Sequence, residues 1–107
     1  MTFAVYHTST FDKELEKMPK DFQEWVDKIE DQLVLNPYVG DQIRVRWCRE
    51  KKKDKYRLYY LIYDDLKAVL VIAFGGKKAQ QETIDETVKY FPEFRRYLEN
   101  LLKSERR

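Results

Sequence analysis

The chain has 107 residues, 43 % of them hydrophobic, and a formal net charge of +2, which predicts one globular domain over residues 1–107 and excludes a disordered body. Its single cysteine, Cys48, excludes an internal disulfide and fits a reducing compartment. Because no apolar run reaches the length of a membrane span and the N-terminus lacks a basic-then-apolar signal pattern, we expect a cytoplasmic protein with no membrane partner.

The first third of the sequence predicts a strand followed by two antiparallel helices. Residues 3–7 alternate as a strand does, and apolar residues at helical spacing follow as far as Pro19. A second helix is predicted to begin at Asp21, since Asp21 and Glu24 have the spacing of a capping box. The apolar stripe of this helix comprises Phe22, Trp25, Val26, Ile29, Leu33 and Val34.

The middle third changes its apolar period from 3.6 to 2, which predicts strands. Within residues 43–48, Arg44 and Arg46 alternate with apolar side chains. Both guanidinium groups are therefore expected on one face of a single strand. Residues 51–54 are predicted to form the polar turn that follows it.

Two further strands and two helices complete the predicted fold. The strands are expected at residues 56–63 and 68–74, and the second of these is nearly all apolar, which indicates burial on both faces. Residues 3–7 are expected to join this sheet at an edge. A short helix and another that begins at Pro92 follow. The sequence therefore predicts an α+β fold, with a small antiparallel sheet packed against two N-terminal antiparallel helices and with C-terminal helices.

Charge is distributed unevenly along the chain. Residues 10–35 contain eight acidic residues against four lysines, a balance of −4. Residues 42–57 contain eight cations against Glu50 and Asp54, a balance of +6. A strongly basic segment in a chain of nearly neutral total charge indicates a polyanionic partner.

Other arrangements in the sequence give weak functional signals. His7 and Cys48 are too few to build a zinc site, and nothing near either residue supports a nucleophilic pair. Residues 75–78, GGKK, lack the spaced glycines and the Ser or Thr of a phosphate-binding P-loop. Asp64 and Asp65 have the composition of a tight turn. We therefore expect neither a metal nor another cofactor.

The basic segment of residues 42–57 is predicted to form most of a hairpin, and this basic hairpin is the strongest candidate for a functional surface. A solvated turn is the simplest interpretation of such a charge run, but Arg44, Arg46 and Arg57 fall within predicted strands, whose alternation directs them to one face. Lys77 and Lys78 follow the last strand, and the sheet can bring them near the same face. Cations on a rigid sheet with tyrosines available for stacking suit RNA. The tyrosines are Tyr59, Tyr60 and Tyr63. The candidate RNA-binding residues are Arg44, Arg49, Lys51, Lys52, Lys53 and Lys55.

The predicted order of elements resembles that of the RelE/ParE toxin superfamily. Residues 54–81, DKYRLYYLIYDDLKAVLVIAFGGKKAQQ, resemble its Tyr-Arg strand, acidic turn, apolar central strand and basic exit. Residues 35–40, LNPYVG, also match the pattern of these toxins. The resemblance covers residues 3–81, and helices over about residues 79–107 are expected to be a C-terminal extension.

The resemblance implies the toxin of a type II toxin–antitoxin system. RelE-like members are ribosome-dependent, metal-independent endoribonucleases that cut mRNA and inhibit translation, and a cognate antitoxin protein silences them. Arg57 matches the strand arginine that contacts the scissile phosphate, and Lys77 or Lys78 matches the basic residue at the exit of the last strand. Arg44 and Arg46 lie where such toxins carry strand cations. The residues expected to be catalytic are Arg57, Arg46, Lys77 and Lys78. Fixed cations stabilise the extra negative charge of the phosphorane transition state, and a lysine is the expected base.

Two alternatives accompany this reading of the family. The Tyr-Arg strand also occurs in ParE-like members, which inhibit DNA gyrase without being enzymes. The first alternative is therefore a ParE-like, non-enzymatic inhibitor of DNA gyrase. In addition, residues 79–81, AQQ, stand where many RelE-like toxins have a Tyr or His. The second alternative is therefore a catalytically inactive homologue that binds an antitoxin.

Overall fold

The computed structural model describes residues 2–76 and 80–105. The strands are β1 (Ala4–His7), β2 (Asp41–Ile43), β3 (Val45–Lys53), β4 (Tyr56–Tyr63) and β5 (Ala68–Gly75). The helices are α1 (Ser9–Glu16), α2 (Lys20–Leu35), α3 (Gln80–Lys89) and α4 (Phe91–Glu105), with short 3-10 turns at Pro37–Val39 and Asp64–Leu66. Among the described helices, none is both long enough and apolar enough to cross a membrane.

The described strands form one sheet in the order β1-β5-β4-β3-β2. β1 pairs in parallel with β5, and the other neighbours are antiparallel. The predicted α+β class is confirmed, as is the edge position of the first strand. β4, which carries Arg57, lies at the centre of the sheet and so has neighbours on both sides.

Successive side chains of β4 point to opposite faces of the sheet and so contribute to two separate hydrophobic cores. Leu58, Tyr60 and Ile62 pack on the face covered by α1 and α2. Leu61 and Tyr63 pack on the face covered by α3 and α4. The apolar residues of β5 divide in the same way, which confirms that this strand is buried on both faces. The sheet is therefore a layer between two pairs of helices.

The start of the basic segment differs from its predicted structure. Arg44 has a φ angle of 59° and lies in a reversal between β2 and β3, across which Ile43 pairs with Val45. Residues 43–48 are therefore not one strand. Because the reversal interrupts the period-2 alternation, the prediction that Arg44 and Arg46 share a strand face is wrong.

The hairpin turn is shorter than residues 51–54, the prediction from sequence. β3 continues to Lys53, which pairs with Tyr56. Only Asp54 and Lys55 remain in the loop, and Asp54 adopts the left-handed conformation with a φ angle of 54°. Backbone pairing therefore extends through lysines that composition alone assigns to a turn.

The start of α2 also differs in detail. The helix begins at Lys20, with Pro19 at the capping position and no side-chain cap. Asp21 accepts a hydrogen bond from the adjacent amide of Phe22 instead of forming a capping box with Glu24. The fixed φ of proline, here −57°, prepares the first turn without the predicted box.

His7 joins the first strand to both N-terminal helices. Its Nδ1 lies 2.7 Å from Oδ1 of Asp12 in α1, and its Nε2 is hydrogen-bonded to Oε1 of Glu30 in α2. The hydrogen bond with Glu30 raises the pKa of His7 above its usual value against the opposing effect of burial, and the contact with Asp12 adds to the rise. The imidazolium form therefore stabilises the packing of β1 on α1 and α2.

This contact predicts that stability declines as the pH rises from 6 to 9. A histidine whose folded pKa lies above its unfolded value of about 6.5 stabilises the fold fully below that value. The contribution is lost as the pH rises through the folded pKa. In urea unfolding, Glu30→Gln should remove on the order of 1 kcal/mol of this pH-dependent stability.

The control for the histidine contact is Glu14→Gln, which changes an exposed glutamate of α1. This variant should keep the pH dependence of the native chain. Parallel stability profiles for the native chain and Glu30→Gln would contradict the role given to the His7–Glu30 hydrogen bond.

Candidate nucleic-acid interface

Arg57 lies near the start of β4, opposite Lys52 of β3. Its side chain is only 17 % exposed, and its Nη1 donates a hydrogen bond to Oε1 of Glu50 at 2.8 Å. Within residues 2–76 and 80–105, the guanidinium has no second hydrogen-bond acceptor. As far as residues 2–76 and 80–105 are concerned, its remaining N–H groups are open to a ligand, and the ion pair with Glu50 holds the group in place.

Glu50 is the residue of the candidate site that the sequence did not predict. Its side chain is 6 % exposed, and both of its carboxylate oxygens have partners. Oε1 accepts from Arg57 and lies 3.9 Å from Nζ of Lys52, while Oε2 accepts from Nε2 of Gln80 at 3.1 Å. A carboxylate buried to this extent requires such partners. Glu50 therefore fixes the direction of Arg57, ties α3 to the sheet and offsets part of the local positive charge.

An open depression of about 440 Å³ lies beside Arg57. Arg57, Lys52 and Lys55 line it together with one acid, Asp54, which gives a net charge of +2. Counting the buried Glu50 behind Arg57 reduces this balance to +1. The depression offers an exposed, positively charged surface of the kind that a phosphate group occupies.

Three of the candidate RNA-binding cations lie on the other face of β3. Strand alternation separates Arg49, Lys51 and Lys53 from the face that carries Arg57. Nζ of Lys53 lies 5.9 Å from the centre of the Trp25 ring of α2, and Nη1 of Arg49 donates to the carbonyl oxygen of Gly40 at 3.1 Å. The cations of the basic hairpin therefore lie on both faces of the sheet and do not form a single patch.

Arg44, in the reversal before β3, and Arg46, at the start of β3, also lie apart from Arg57. Nη2 of Arg44 lies 2.9 Å from Oδ1 of Asp85 in α3. The guanidinium of Arg46 lies 4.5 Å from the centre of the Tyr38 ring. Arg46 is six residues along β3 from the position paired with Arg57, a separation of about 20 Å. This geometry does not bring Arg46 into a catalytic cluster with Arg57.

Comparison with known proteins assigns the fold. No family model matches the chain, and no curated protein matches its sequence. Among solved structures, a mutant of the E. coli toxin RelE in the free state is 25 % identical with a TM-score of 0.69, covering 83 % of this chain and 97 % of that chain. RelBE2 from Mycobacterium tuberculosis is 23 % identical with a TM-score of 0.62, covering 72 % of this chain and 93 % of that chain. The chain has the RelE-like fold.

A third RelE-like neighbour is the intact E. coli RelBE toxin–antitoxin complex, at 22 % identity and a TM-score of 0.62. It covers 69 % of this chain and 95 % of that chain. The predicted resemblance to the superfamily is thus confirmed at the level of the fold.

The tyrosines expected to stack on RNA are buried in this RelE-like fold. Tyr59, Tyr60 and Tyr63 are each at most 2 % exposed. That part of the prediction is wrong because β4 is the central strand and helices cover both of its faces. Cys48 is buried as well, and burial raises the pKa of its thiol to about 11, which makes it a poor nucleophile.

Lys77 and Lys78, the candidate catalytic lysines, lie outside the described residues, and their role stays a prediction. The described residues on either side both belong to the Arg57 site. Gly76 lines the depression, and Gln80 donates to Glu50.

Proposed function

We propose that this chain is the toxin of a toxin–antitoxin pair and that it inhibits translation as an endoribonuclease that cuts mRNA on the ribosome. The observation that carries the proposal is the placement of Arg57 on a RelE-like fold. Its guanidinium is held from behind by Glu50 and opens onto a basic depression. This arrangement suits a phosphate that gains charge during a reaction.

The proposed reaction is attack by the RNA 2′-hydroxyl on the adjacent phosphorus. The 2′-oxygen gives its proton to a base and forms the new P–O bond. The P–O5′ bond breaks, and the leaving 5′-oxygen takes a proton from a general acid or water, which produces a 2′,3′-cyclic phosphate and a 5′-hydroxyl. The phosphorane between these states carries one more negative charge than the phosphodiester. Since Arg57 is already oriented, those of its N–H groups that have no acceptor among the described residues stabilise this transition state more than the ground state. Lys52 and Lys55 would hold the flanking phosphates.

The proposed partners are a cognate antitoxin protein, the ribosome and mRNA. The neighbouring structures include RelE toxins in complex with RelB antitoxins, which supports the antitoxin as a partner of this chain. We also propose a cytoplasmic location, since the proposed target is the translating ribosome.

One observation favours a second candidate, a homologue that binds an antitoxin without cleaving RNA. The buried carboxylate of Glu50 lies 2.8 Å from Arg57 and offsets its charge. A phosphate would have to share the guanidinium with this internal anion, which weakens the attraction of the site for a ligand.

The test of the proposal uses purified chain, a defined mRNA and ribosomes programmed with that mRNA. We expect cuts within the ribosome-bound codon when ribosomes are present and intact mRNA when they are absent. Supercoiling by DNA gyrase is measured in parallel. Intact mRNA together with inhibited supercoiling would support a ParE-like toxin instead, and intact mRNA with normal supercoiling would support the inactive homologue.

A further inference from the structure

A second cleft, of about 260 Å³, opens at the end of the hairpin far from Arg57. It lies where β3 begins, where β4 ends and where α4 begins. Four aromatic side chains line it, namely Tyr38, Trp47, Tyr63 and Phe91. Tyr56 also lies beside Arg57 in the first depression, but this second cleft brings several aromatic rings together with arginines at the surface.

The aromatic floor of the cleft is fixed. The Phe91 ring stacks with the Trp47 ring at a centroid distance of 3.8 Å and with the Tyr63 ring at 4.6 Å. The hydroxyl of Tyr63 donates to the carbonyl oxygen of Phe91 at 3.0 Å. Trp47 and Phe91 both remain partly exposed, so two rings of this rigid stack reach the surface, and Trp47 lies on the same strand as Arg46.

One pair of charges in the cleft is already satisfied. Nη1 and Nη2 of Arg95 donate to the two carboxylate oxygens of Asp65 at 3.1 and 2.5 Å. This bidentate pair joins α4 to the end of β4 and contributes no net charge.

Arg46, in contrast, is loosely held. Its side chain is 71 % exposed, and its Nη1 lies 3.6 Å from Oδ2 of Asp64. Arg46 and Arg49 both approach the Tyr38 ring, at 4.5 and 5.0 Å from its centre. The Tyr38 hydroxyl donates to Asp64, so that one carboxylate faces two arginines. The residues that line the cleft have no net charge, because Arg46 and Arg95 are matched by Asp64 and Asp65. Arg46 is nevertheless the accessible cation, and Arg49, which contacts the Tyr38 ring from outside the lining, adds one positive charge nearby.

We propose that this cleft binds one nucleotide of single-stranded RNA, with its phosphate on Arg46 and its base against Trp47. An unpaired base stacks on an exposed aromatic ring, and an arginine beside the ring takes the adjoining phosphate. The inference rests on the proposed function, since it extends the RNA path about 20 Å along β3 from Arg57. The cleft gives Arg46 a role in binding RNA away from the reacting phosphate.

The test follows the fluorescence of Trp47 on addition of a short oligouridylate without ribosomes. The chain has two tryptophans, so Trp25→Phe leaves Trp47 as the reporter. We expect the RNA to quench its emission. Arg46→Ala should weaken this binding about tenfold and reduce the slope of log K against log salt by about 1.

The matched control is Arg96→Ala, which removes an equally exposed arginine of α4, at 70 % exposure compared with 71 % for Arg46. Anisotropy of a labelled oligouridylate, measured with both variants in the chain that retains Trp25, gives a second readout that does not depend on the Trp25→Phe background. Equal affinities of the two variants, or unchanged Trp47 emission at saturating RNA, would overturn the proposed site. If the chain cuts mRNA on ribosomes but RNA does not quench Trp47, only the proposed RNA-binding cleft is wrong. If RNA quenches Trp47 but mRNA stays intact on ribosomes, the result counts against the proposed function.

Discussion

Arg57→Ala is expected to slow mRNA cleavage on programmed ribosomes by about 10²- to 10³-fold, the usual effect of removing one fixed donor from a charged transition state. The guanidinium is the group that Glu50 orients, with an Nη1–Oε1 distance of 2.8 Å, and its other N–H groups have no acceptor within the described residues. The loss should appear in the single-turnover rate constant at saturating ribosome concentration, because the contact strengthens as charge develops on the phosphate.

Two comparison variants separate catalysis at Arg57 from general attraction of RNA. Arg57→Lys keeps the charge but lacks the planar fork of donors, so it should recover only part of the rate. Lys52→Ala removes an exposed cation of the same depression and should mainly reduce the salt dependence of binding. Equal losses of rate in Arg57→Ala and Lys52→Ala would mean that the depression binds RNA without Arg57 stabilising the reacting phosphate.

Gly40→Ala is expected to have the largest effect on stability, lowering the free energy of unfolding by about 3 kcal/mol or more. A Cβ atom at this position would lie 2.7 Å from the carbonyl oxygen of Glu50 and closer still to the hydroxyl oxygen of Tyr60. That buried hydroxyl accepts from the amide of Gly40 at 3.1 Å and donates to the carbonyl oxygen of Pro37 at 2.6 Å. The substitution must therefore displace backbone or break both hydrogen bonds of Tyr60.

The control for this substitution is Gly76→Ala, because the nearest atom of the described residues to a Cβ there is the carbonyl oxygen of Lys55, at an ordinary 3.8 Å. Urea unfolding of both variants measures the difference. A loss of stability at Gly40 no greater than that at Gly76 would contradict the close approach of Tyr60 to Gly40.

Periodicity predicted most of the fold because the apolar side chains repeat at the period of the element that buries them. The stripe of α2 and the apolar run of β5 both placed their elements correctly. The reversal at Arg44 could not be predicted from periodicity. The residue with the positive φ angle of 59° is an arginine, and not the glycine or proline that usually marks a turn in a sequence. The burial of Tyr59 and Tyr63 depends on the α3–α4 pair, which period-2 alternation within β4 cannot reveal.

The candidate site was predictable only in part. Arg57 could be singled out because residues around it resemble the Tyr-Arg strand of the RelE/ParE superfamily. Its ion pair with Glu50 could not be predicted, because that pair depends on the register between β3 and β4. Glu50 is the only acid between Arg44 and Lys53, and that isolation is the signal that marks it. It reaches Arg57 because the turn at Asp54 and Lys55 pairs Lys52 with Arg57. With the predicted turn at residues 51–54, Lys52 would not pair with Arg57. Glu50 therefore entered the sequence-based prediction only as one acidic charge.

The most direct test of the proposed function is primer extension on a defined mRNA translated in a cell-free extract, with native chain in one reaction and Arg57→Ala in the other. The proposed function predicts cuts in phase with the codons that are present with the native chain and lost with Arg57→Ala. Normal translation of intact mRNA in the presence of the native chain would contradict it.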